Sequence, residues 1–256
     1  MITLAKTEWG LFLLALQFMT RLPVNPGSAF SEENFLASVR HYPLVGLFVG
    51  LLNAGIFVAA NALFPTVVAV LVTISVSILM TGAFHEDGLA DMFDGIGGGS
   101  NKERALQIMK DSRIGVFGMT ALAMVLALKT SALVSMPPAL LVLALVVAHA
   151  ASRWSSVIAI ASSRYVRDEG TAKPVAEGIS HPALLFASAV GLAPFLAFWL
   201  IGHGALALPA LTGLLIAHLA TRIFYQRKIN GYTGDCLGAL QQISELGVYL
   251  GILACL

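Results

Sequence analysis

Apolar stretches, each close to the length that crosses a lipid bilayer, repeat along most of this 256-residue chain. A membrane-crossing helix needs about 20 predominantly apolar residues, and lipid demands that every backbone polar group be bonded internally. No alternating strand pattern is present, and only 11% of the residues are charged. We therefore predict an all-α, polytopic helical bundle forming one domain over 1–256. The predicted spans are about 43–62, 66–84, 114–134, 139–160, 183–202 and 206–224, with a seventh at about 238–256.

The N-terminal apolar run, 9–19, is too short to cross a bilayer by itself. It has Glu8 before it, Arg21 after it and no small-residue cleavage site, so we interpret it as a retained segment rather than a signal peptide. Whether it spans the membrane or lies at the surface is left open. The prolines and glycine in 21–27 predict that the helix ends there.

Connections with and without basic residues alternate along the chain, and this alternation predicts how the chain crosses the membrane. The connections at 63–65, 135–138 and 203–205 have no Lys or Arg, whereas those at about 21–42, 85–113, 161–182 and 225–237 hold nearly all of them. Positively charged loops favour the cytoplasm. We therefore expect the four charged loops, and any site built from them, to face the cytoplasm. A net charge of +1 gives no indication of a nucleic-acid partner.

One acidic stretch, Phe84–Gly95, has an unusual density of ionisable side chains for such an apolar chain. In a helix, Asp87, Asp91 and Asp94 fall within roughly 60° of each other on one face. Carboxylates so close repel one another unless a cation lies among them, and Mg²⁺ is the common oxygen-ligated ion. At this position we expect the end of an apolar helix, where positive charge is already favoured. The alternative is a solvated acidic turn between two spans.

Two further polar stretches contain candidate binding residues. Ser100 and Glu103 predict a helix N-cap, and Lys110 and Arg113 that follow are either a phosphate clamp or ordinary positive-inside anchors. Thr233 and Asp235 open the seventh span, either as an anion or metal site or as a plain N-cap.

Several ionisable residues lie inside the predicted spans, and they differ in what their positions predict. Glu245 lies deep in the seventh span and is a functional candidate by default. Lys129 is expected to extend towards the membrane surface, and Arg153 to lie at the interface. His149, His203 and His218 lack partners at ligand spacing and are interpreted as packing residues.

Taken together, these residues carry a resemblance to a known family. The stretches FHEDGLADMFDGIGG and ALQIMKDSRIGVFG, with FMTRLPV, YPLVG, AEGIS at 176–180 and GYTGDCLGA at 231–239, resemble the cobalamin synthase family, the adenosylcobinamide-GDP ribazoletransferases. The similarity covers almost the whole chain in order. Glu86 departs from it, since that position is often apolar in the family.

The resemblance implies an integral inner-membrane, Mg²⁺-dependent transferase of cobalamin biosynthesis. Its substrates would be adenosylcobinamide-GDP and α-ribazole, or α-ribazole 5′-phosphate, with GMP released. The lipid bilayer is an implied partner, and a homo-oligomer is left open. Mg²⁺ would be held by Asp87, Asp91, Asp94 and Asp235; Lys110, Arg113, Arg21 and Thr233 would bind substrate; His85, Asp87 or Asp91 would act in catalysis as the general base.

Two other functions remain as alternatives. The stretch D-G-L-A-D-x-x-D-G also resembles the start of the CDP-alcohol phosphotransferase motif, but no Arg follows Ala90 as that motif requires. A cation- or proton-coupled transporter could use Asp87, Asp91 and Glu245. Against a transporter, the acids cluster at one membrane face, and no broken helices recur in matching halves.

Overall fold

The computed structural model describes residues 2–27, 31–167 and 179–256, and side chains from residue 7 onward. These parts are almost entirely helical; the only β-type contact among them is a single parallel bridge between Tyr165 and Tyr232. Part of the predicted 161–182 loop and of the AEGIS stretch lies outside the described residues. The helices are α1 Ile2–Met19, α2 Glu32–Ser38, α3 Tyr42–Asn61, α4 Thr66–Thr81, α5 Phe84–Gly98, α6 Lys102–Ile108, α7 Val116–Val134, α8 Pro138–Ser162, α9 His181–Leu192, α10 Ala197–Leu200, α11 Ala207–Ile229 and α12 Gly234–Leu253.

The predicted all-α membrane architecture is confirmed. Among the described residues, six helical segments are long and apolar enough to cross a membrane, or seven if the bent pair α4 and α5 is counted as one span. The six coincide with six of the seven predicted spans to within a few residues, except that the first begins earlier, at Glu32. The predicted 66–84 span corresponds to α4, which is long enough to cross only together with α5. Helix α1 extends the predicted 9–19 run back to Ile2 and is not among the six.

The acidic stretch is a separate helix and not the end of an apolar one, which corrects the sequence-based expectation. Helix α4 ends at Gly82, which adopts a left-handed conformation with φ 64°, and Ala83 follows with φ 58°. The chain then turns by 87° into α5. Because α5 leaves the direction of α4 so sharply, we treat it as lying outside the spans. Glu86 and Asp87 now occupy the first turn of a helix, where the dipole favours carboxylates.

Helix α6 also begins differently from the prediction. Its N-cap is Asn101, whose side-chain oxygen accepts a hydrogen bond of 2.9 Å from the Arg104 N–H, and not Ser100. Both residue types cap helices well, and Asn is at least as good as Ser. The shift by one residue moves Glu103 from the third to the second helical position, so the predicted capping box does not form.

Candidate active site

Two glycines bring α5 against the start of α12. A Cβ atom added at Gly88 would lie 3.1 Å from both the Cα and the carbonyl oxygen of Asp235, and 3.3 Å from the Cα of Gly238. A Cβ at Gly238 would in turn lie 3.1 Å from the His85 carbonyl oxygen. The two helix backbones therefore touch, because neither residue has a side chain to hold them apart. This contact places Asp235 beside the acidic face of α5.

Three carboxylates share this junction. Asp87 is exposed, while Asp91 and Asp235 are half-buried. Burial, with the negative charges of Asp235 and Asp87 nearby, raises the pKa of Asp91 from 3.8 to about 7. A carboxyl group with such a pKa keeps its proton near neutral pH unless positive charge is supplied. The junction thus favours a cation, as the spacing of the aspartates on α5 predicts.

Asp235 has a cationic partner that the sequence reasoning missed. The Arg167 guanidinium donates a hydrogen bond of 2.6 Å to Asp235 Oδ2. Thr233 is the N-cap of α12: its hydroxyl accepts from the Cys236 N–H at 3.4 Å and donates to Asp235 Oδ2 at 3.3 Å. Thr233 therefore orients the carboxylate. Arg167 follows α8, and the Tyr165–Tyr232 bridge holds this segment beside the start of α12.

Asp94 has a different environment from the other two aspartates of α5. Its buried carboxylate accepts hydrogen bonds from the Gly115 N–H at 2.6 Å and from the Gly118 N–H at 2.8 Å. These N–H groups belong to the first turn of α7, so Asp94 caps that helix from outside. Both oxygens are already bonded, and we therefore leave Asp94 out of the cation-binding set.

The proposed phosphate clamp is exposed on the connection between α6 and α7. Arg113 is exposed, and its guanidinium binds Asp111 of the same loop at 2.7 Å. These hydrogen bonds lower the pKa of Asp111 to about 2. Lys110 is exposed, and Arg21 lies over Gly82 at the α4–α5 turn. Lys110, Arg113 and Arg21 do not line the cavity described next.

A cavity of about 160 Å³ opens beside the carboxylates. Asp87, His85 and Asp235 line one part of it, and aromatic side chains of α1, α3 and the start of α5 line much of the rest. Arg153 also lines it, although this residue was expected at the membrane interface: its side chain is 1% exposed and lies inside the bundle. The complete lining is Phe18, Met19, Tyr42, Phe84, His85, Asp87, Gly88, Arg153, Ser156, Gly234, Asp235, Leu237 and Gly238.

Below this cavity lies a network of buried polar groups that the sequence did not predict. Lys129 does not extend to the surface; its Nζ donates to Gln242 Oε1 at 2.7 Å and to Glu245 Oε1 at 2.9 Å. His149 contacts Glu245 at 3.4 Å and is therefore more than a packing residue. Gln242 also donates to Glu86, at 2.9 Å, which explains how an acid is accommodated where the family often has an apolar residue. His85 and Arg153 separate this network from the cavity, since they line both.

The donor set determines which kind of metal site is feasible. No group of three His, Cys, Asp or Glu residues within the described ranges is arranged to hold a metal ion by itself. Mg²⁺, however, is commonly bound through one or two carboxylates, with substrate phosphates and water as the other ligands. Asp87, Asp91 and Asp235 fit that mode, because they are acidic, close together and beside a cavity. They do not fit an all-protein cage.

Comparison with known proteins shows the family of the chain. Residues 11–253 match the family model described as Cobalamin-5-phosphate synthase. The chain is 41% identical over 252 residues to the adenosylcobinamide-GDP ribazoletransferase of Ralstonia pickettii, covering 97% of each chain. It is 44% identical over 256 residues to that of Leptothrix cholodnii, covering 96% of each, and 43% identical over 257 residues to that of Vibrio parahaemolyticus, covering 97% of this chain and 94% of the relative. No solved structure matches significantly.

Similarity of this extent, spanning α1 to α12 and including both halves of the carboxylate junction, shows that the chain belongs to the cobalamin-5-phosphate synthase family of transferases.

Proposed function

We propose that this chain is a Mg²⁺-dependent transferase that joins α-ribazole, or its 5′-phosphate, to adenosylcobinamide-GDP and releases GMP. The relatives carry the name of this activity, and the observation that supports it best in the structure is the Gly88–Gly238 contact. That contact assembles carboxylates from α5 and α12 beside a cavity, as transfer of a phosphate-linked group requires. A CDP-alcohol phosphotransferase is disfavoured by the family match and by the missing Arg after Ala90.

In this proposal the protein chiefly positions the reactants and neutralises charge. Asp87, Asp91 and Asp235 would hold Mg²⁺, which supplies charge neutralisation for the pyrophosphate of the donor substrate. Arg167, already bound to Asp235, is placed to donate to phosphate oxygens as well, because a guanidinium donates several hydrogen bonds from one plane.

The bond changes in the proposed reaction balance without another reactant. A ribose hydroxyl oxygen of the acceptor attacks the phosphorus attached to the corrinoid side chain, and the bond between that phosphorus and the bridging oxygen of GMP breaks. The hydroxyl proton goes to a base in the cavity. His85 lines the cavity and is not a proposed Mg²⁺ ligand, which makes it the first candidate. Asp91, whose pKa is raised to about 7, is the alternative base if the metal is held by Asp87 and Asp235 alone.

We further propose that the site faces the cytoplasm from the bacterial inner membrane. Its residues lie in α5, at the start of α12 and after α8, and these are the positions of three of the four Lys- and Arg-bearing connections. The positive-inside preference supports the same orientation for all of them.

The test is GMP release from adenosylcobinamide-GDP and α-ribazole by purified protein in detergent. Wild type would release GMP only with Mg²⁺, and Asp87→Asn would lose most of that activity. Glu103→Gln, an exposed acid of α6 that does not line the cavity, is the matched control. Full activity of Asp87→Asn at limiting Mg²⁺ would contradict the proposed metal site. No release by folded wild type would contradict the transferase itself.

A further inference from the structure

We infer that the cavity beside Asp87 and Asp235 is a subsite for the planar aromatic heterocycle of a nucleoside substrate. The heterocycle would lie against Phe18 and Phe84 and accept hydrogen bonds from Tyr42 and Arg153. This inference rests on the proposed function and deepens it, because it assigns a part of the substrate to a part of the site.

The aromatic wall consists of rings from three separate segments. The Phe18 and Tyr42 rings are stacked, with centroids 6.2 Å apart and planes 20° apart. Phe84 meets Phe18 edge-on, at 5.1 Å and 73°. All three rings line the cavity, and Phe84 is 39% exposed although it begins the helix that carries the aspartates. Aromatic side chains bind flat heterocycles by stacking and by edge contacts, whichever base the heterocycle is.

Two buried donors of the cavity lining have no partner among the described residues. Tyr42 is 3% exposed, and its hydroxyl makes no hydrogen bond. Arg153 is 1% exposed; one of its terminal nitrogens donates to the His149 carbonyl at 3.1 Å, but its Nε–H has no acceptor. Buried polar groups in proteins are nearly always hydrogen-bonded, so two unpartnered donors lining one cavity indicate a missing acceptor. A ring nitrogen or carbonyl at the edge of a heterocycle supplies one without introducing charge.

The size and charge of the cavity favour a heterocycle over a phosphate group. About 160 Å³ is roughly five times the volume of one water molecule, which is room for a bicyclic ring. A phosphate held through Mg²⁺ at Asp87 and Asp235 would leave the aromatic wall and the unpartnered donors of Tyr42 and Arg153 uncovered. The ring belongs either to the guanine of the donor or to the base of the acceptor nucleoside, and nitrogens in the plane of such a ring accept hydrogen bonds.

Nucleoside binding by Tyr42→Phe distinguishes this subsite from a purely structural role. The substitution removes only an oxygen that has no partner, so the protein should unfold at the same or a higher temperature than wild type. We expect the affinity for either GMP or α-ribazole, measured by titration calorimetry in detergent, to fall about tenfold, which corresponds to one lost hydrogen bond. The ligand whose affinity falls is the one that occupies the cavity.

Tyr225→Phe is the matched control. Tyr225 is also buried and its hydroxyl is also unpartnered, but the residue does not line the cavity, so the affinity for both ligands should stay at the wild-type value. Phe18→Leu keeps an apolar side chain and removes the stacking face, and should weaken the same ligand as Tyr42→Phe. In turnover assays both variants should raise the KM of that one substrate and leave kcat within about twofold of wild type.

The outcomes separate the subsite from the proposed function. If Tyr42→Phe and Phe18→Leu bind GMP and α-ribazole as tightly as wild type, the subsite is overturned even if the enzyme turns over normally. If wild type binds one nucleoside with the expected dependence on Tyr42 but releases no GMP, the subsite stands and the proposed reaction fails. Equal weakening by Tyr225→Phe would show a general loss of structure and would also overturn the subsite.

Discussion

Lys129 of α7 and Glu245 of α12 form an ion pair inside the helical bundle, with Nζ 2.9 Å from Oε1 and both side chains nearly inaccessible to solvent. Gln241 donates to the second carboxylate oxygen of Glu245 at 2.7 Å, and the Tyr249 hydroxyl donates to the first at 3.2 Å. A buried carboxylate with this many donors is stabilised as an anion, and it fixes α7 against α12. The pair thus supports the helix that carries Asp235.

Breaking this pair from one side should destabilise the protein more than removing both charges. Lys129→Met leaves the Glu245 carboxylate buried without its strongest partner, and we expect a loss of about 3 kcal/mol in unfolding free energy. Adding Glu245→Gln should recover much of that loss, because neither buried group is then charged. Thermal unfolding of the two single variants and the double variant in one detergent measures this. Additive losses would contradict a direct coupling between the two side chains.

A substitution at the contact between Gly88 and Gly238 should reduce the catalytic activity far more than it reduces the stability of the fold. Gly88→Ala places a Cβ 3.1 Å from the Asp235 backbone, so α5 and α12 must separate by a few tenths of an ångström. Displaced catalytic groups can cost on the order of a hundredfold in rate, and we expect kcat/KM to fall by about 10- to 100-fold. Gly55→Ala is the control, since a Cβ there meets open space. If Gly88→Ala were as active as Gly55→Ala, the close approach of α5 and α12 would not be what positions the catalytic groups.

Asp94 should prove to be a structural carboxylate. Asp94→Ala leaves the N–H groups of Gly115 and Gly118 without their acceptor, and loss of such a cap costs about 1–2 kcal/mol. Thermal unfolding should report that loss. The Mg²⁺ concentration that gives half-maximal activity should remain within about twofold of wild type, whereas Asp87→Asn should raise it. If Asp94→Ala shifted the Mg²⁺ response without changing stability, Asp94 would be a ligand after all.

The raised pKa of Asp91 predicts an unusual dependence of stability on pH. The folded protein keeps this proton up to about pH 7, whereas the unfolded chain releases it near 3.8. The folded state therefore binds more protons in that window, and its stability falls as the pH rises from about 4 to 7. We expect the melting temperature of wild type in EDTA to fall between pH 5 and 8, and that of Asp91→Asn to change less over the same range. Mg²⁺ should also reduce this fall in wild type; a fall unaffected by both would contradict the assignment.

The sequence predicts the parts of this protein that depend on local pattern. Apolar runs give the spans, and the spacing of Asp87 and Asp91 gives one acidic helical face, since both follow from periodicity alone. The turn at Gly82 and Ala83 was missed because a left-handed alanine has no sequence signal. The left-handed conformation of Ala83 is unfavourable by itself, and the surrounding structure maintains it.

Long-range partners explain the other differences. Lys129, Arg153 and Arg167 all lie near positions where basic residues usually reach the surface. Lys129 and Arg167 are instead held by carboxylates distant in the sequence, and Arg153 is buried at the cavity. Asp235 lies 68 residues beyond Arg167, and no spacing rule links them. The motif FHEDGLADMFDGIGG identifies the family but does not separate Asp94, which caps α7, from its neighbours.

The Gly88–Gly238 junction also sets the order in which this protein becomes competent during synthesis. Helix α5 emerges from the ribosome long before α12, with all of α6 to α11 between them. Until α12 is inserted, Asp87 and Asp91 have no Asp235 beside them, and Lys129 has no Glu245 to neutralise it within the bilayer. A nascent chain therefore holds two of the three proposed cation ligands and an unpaired interior charge. We expect chains halted before α12 to be recognised as incomplete by membrane quality control.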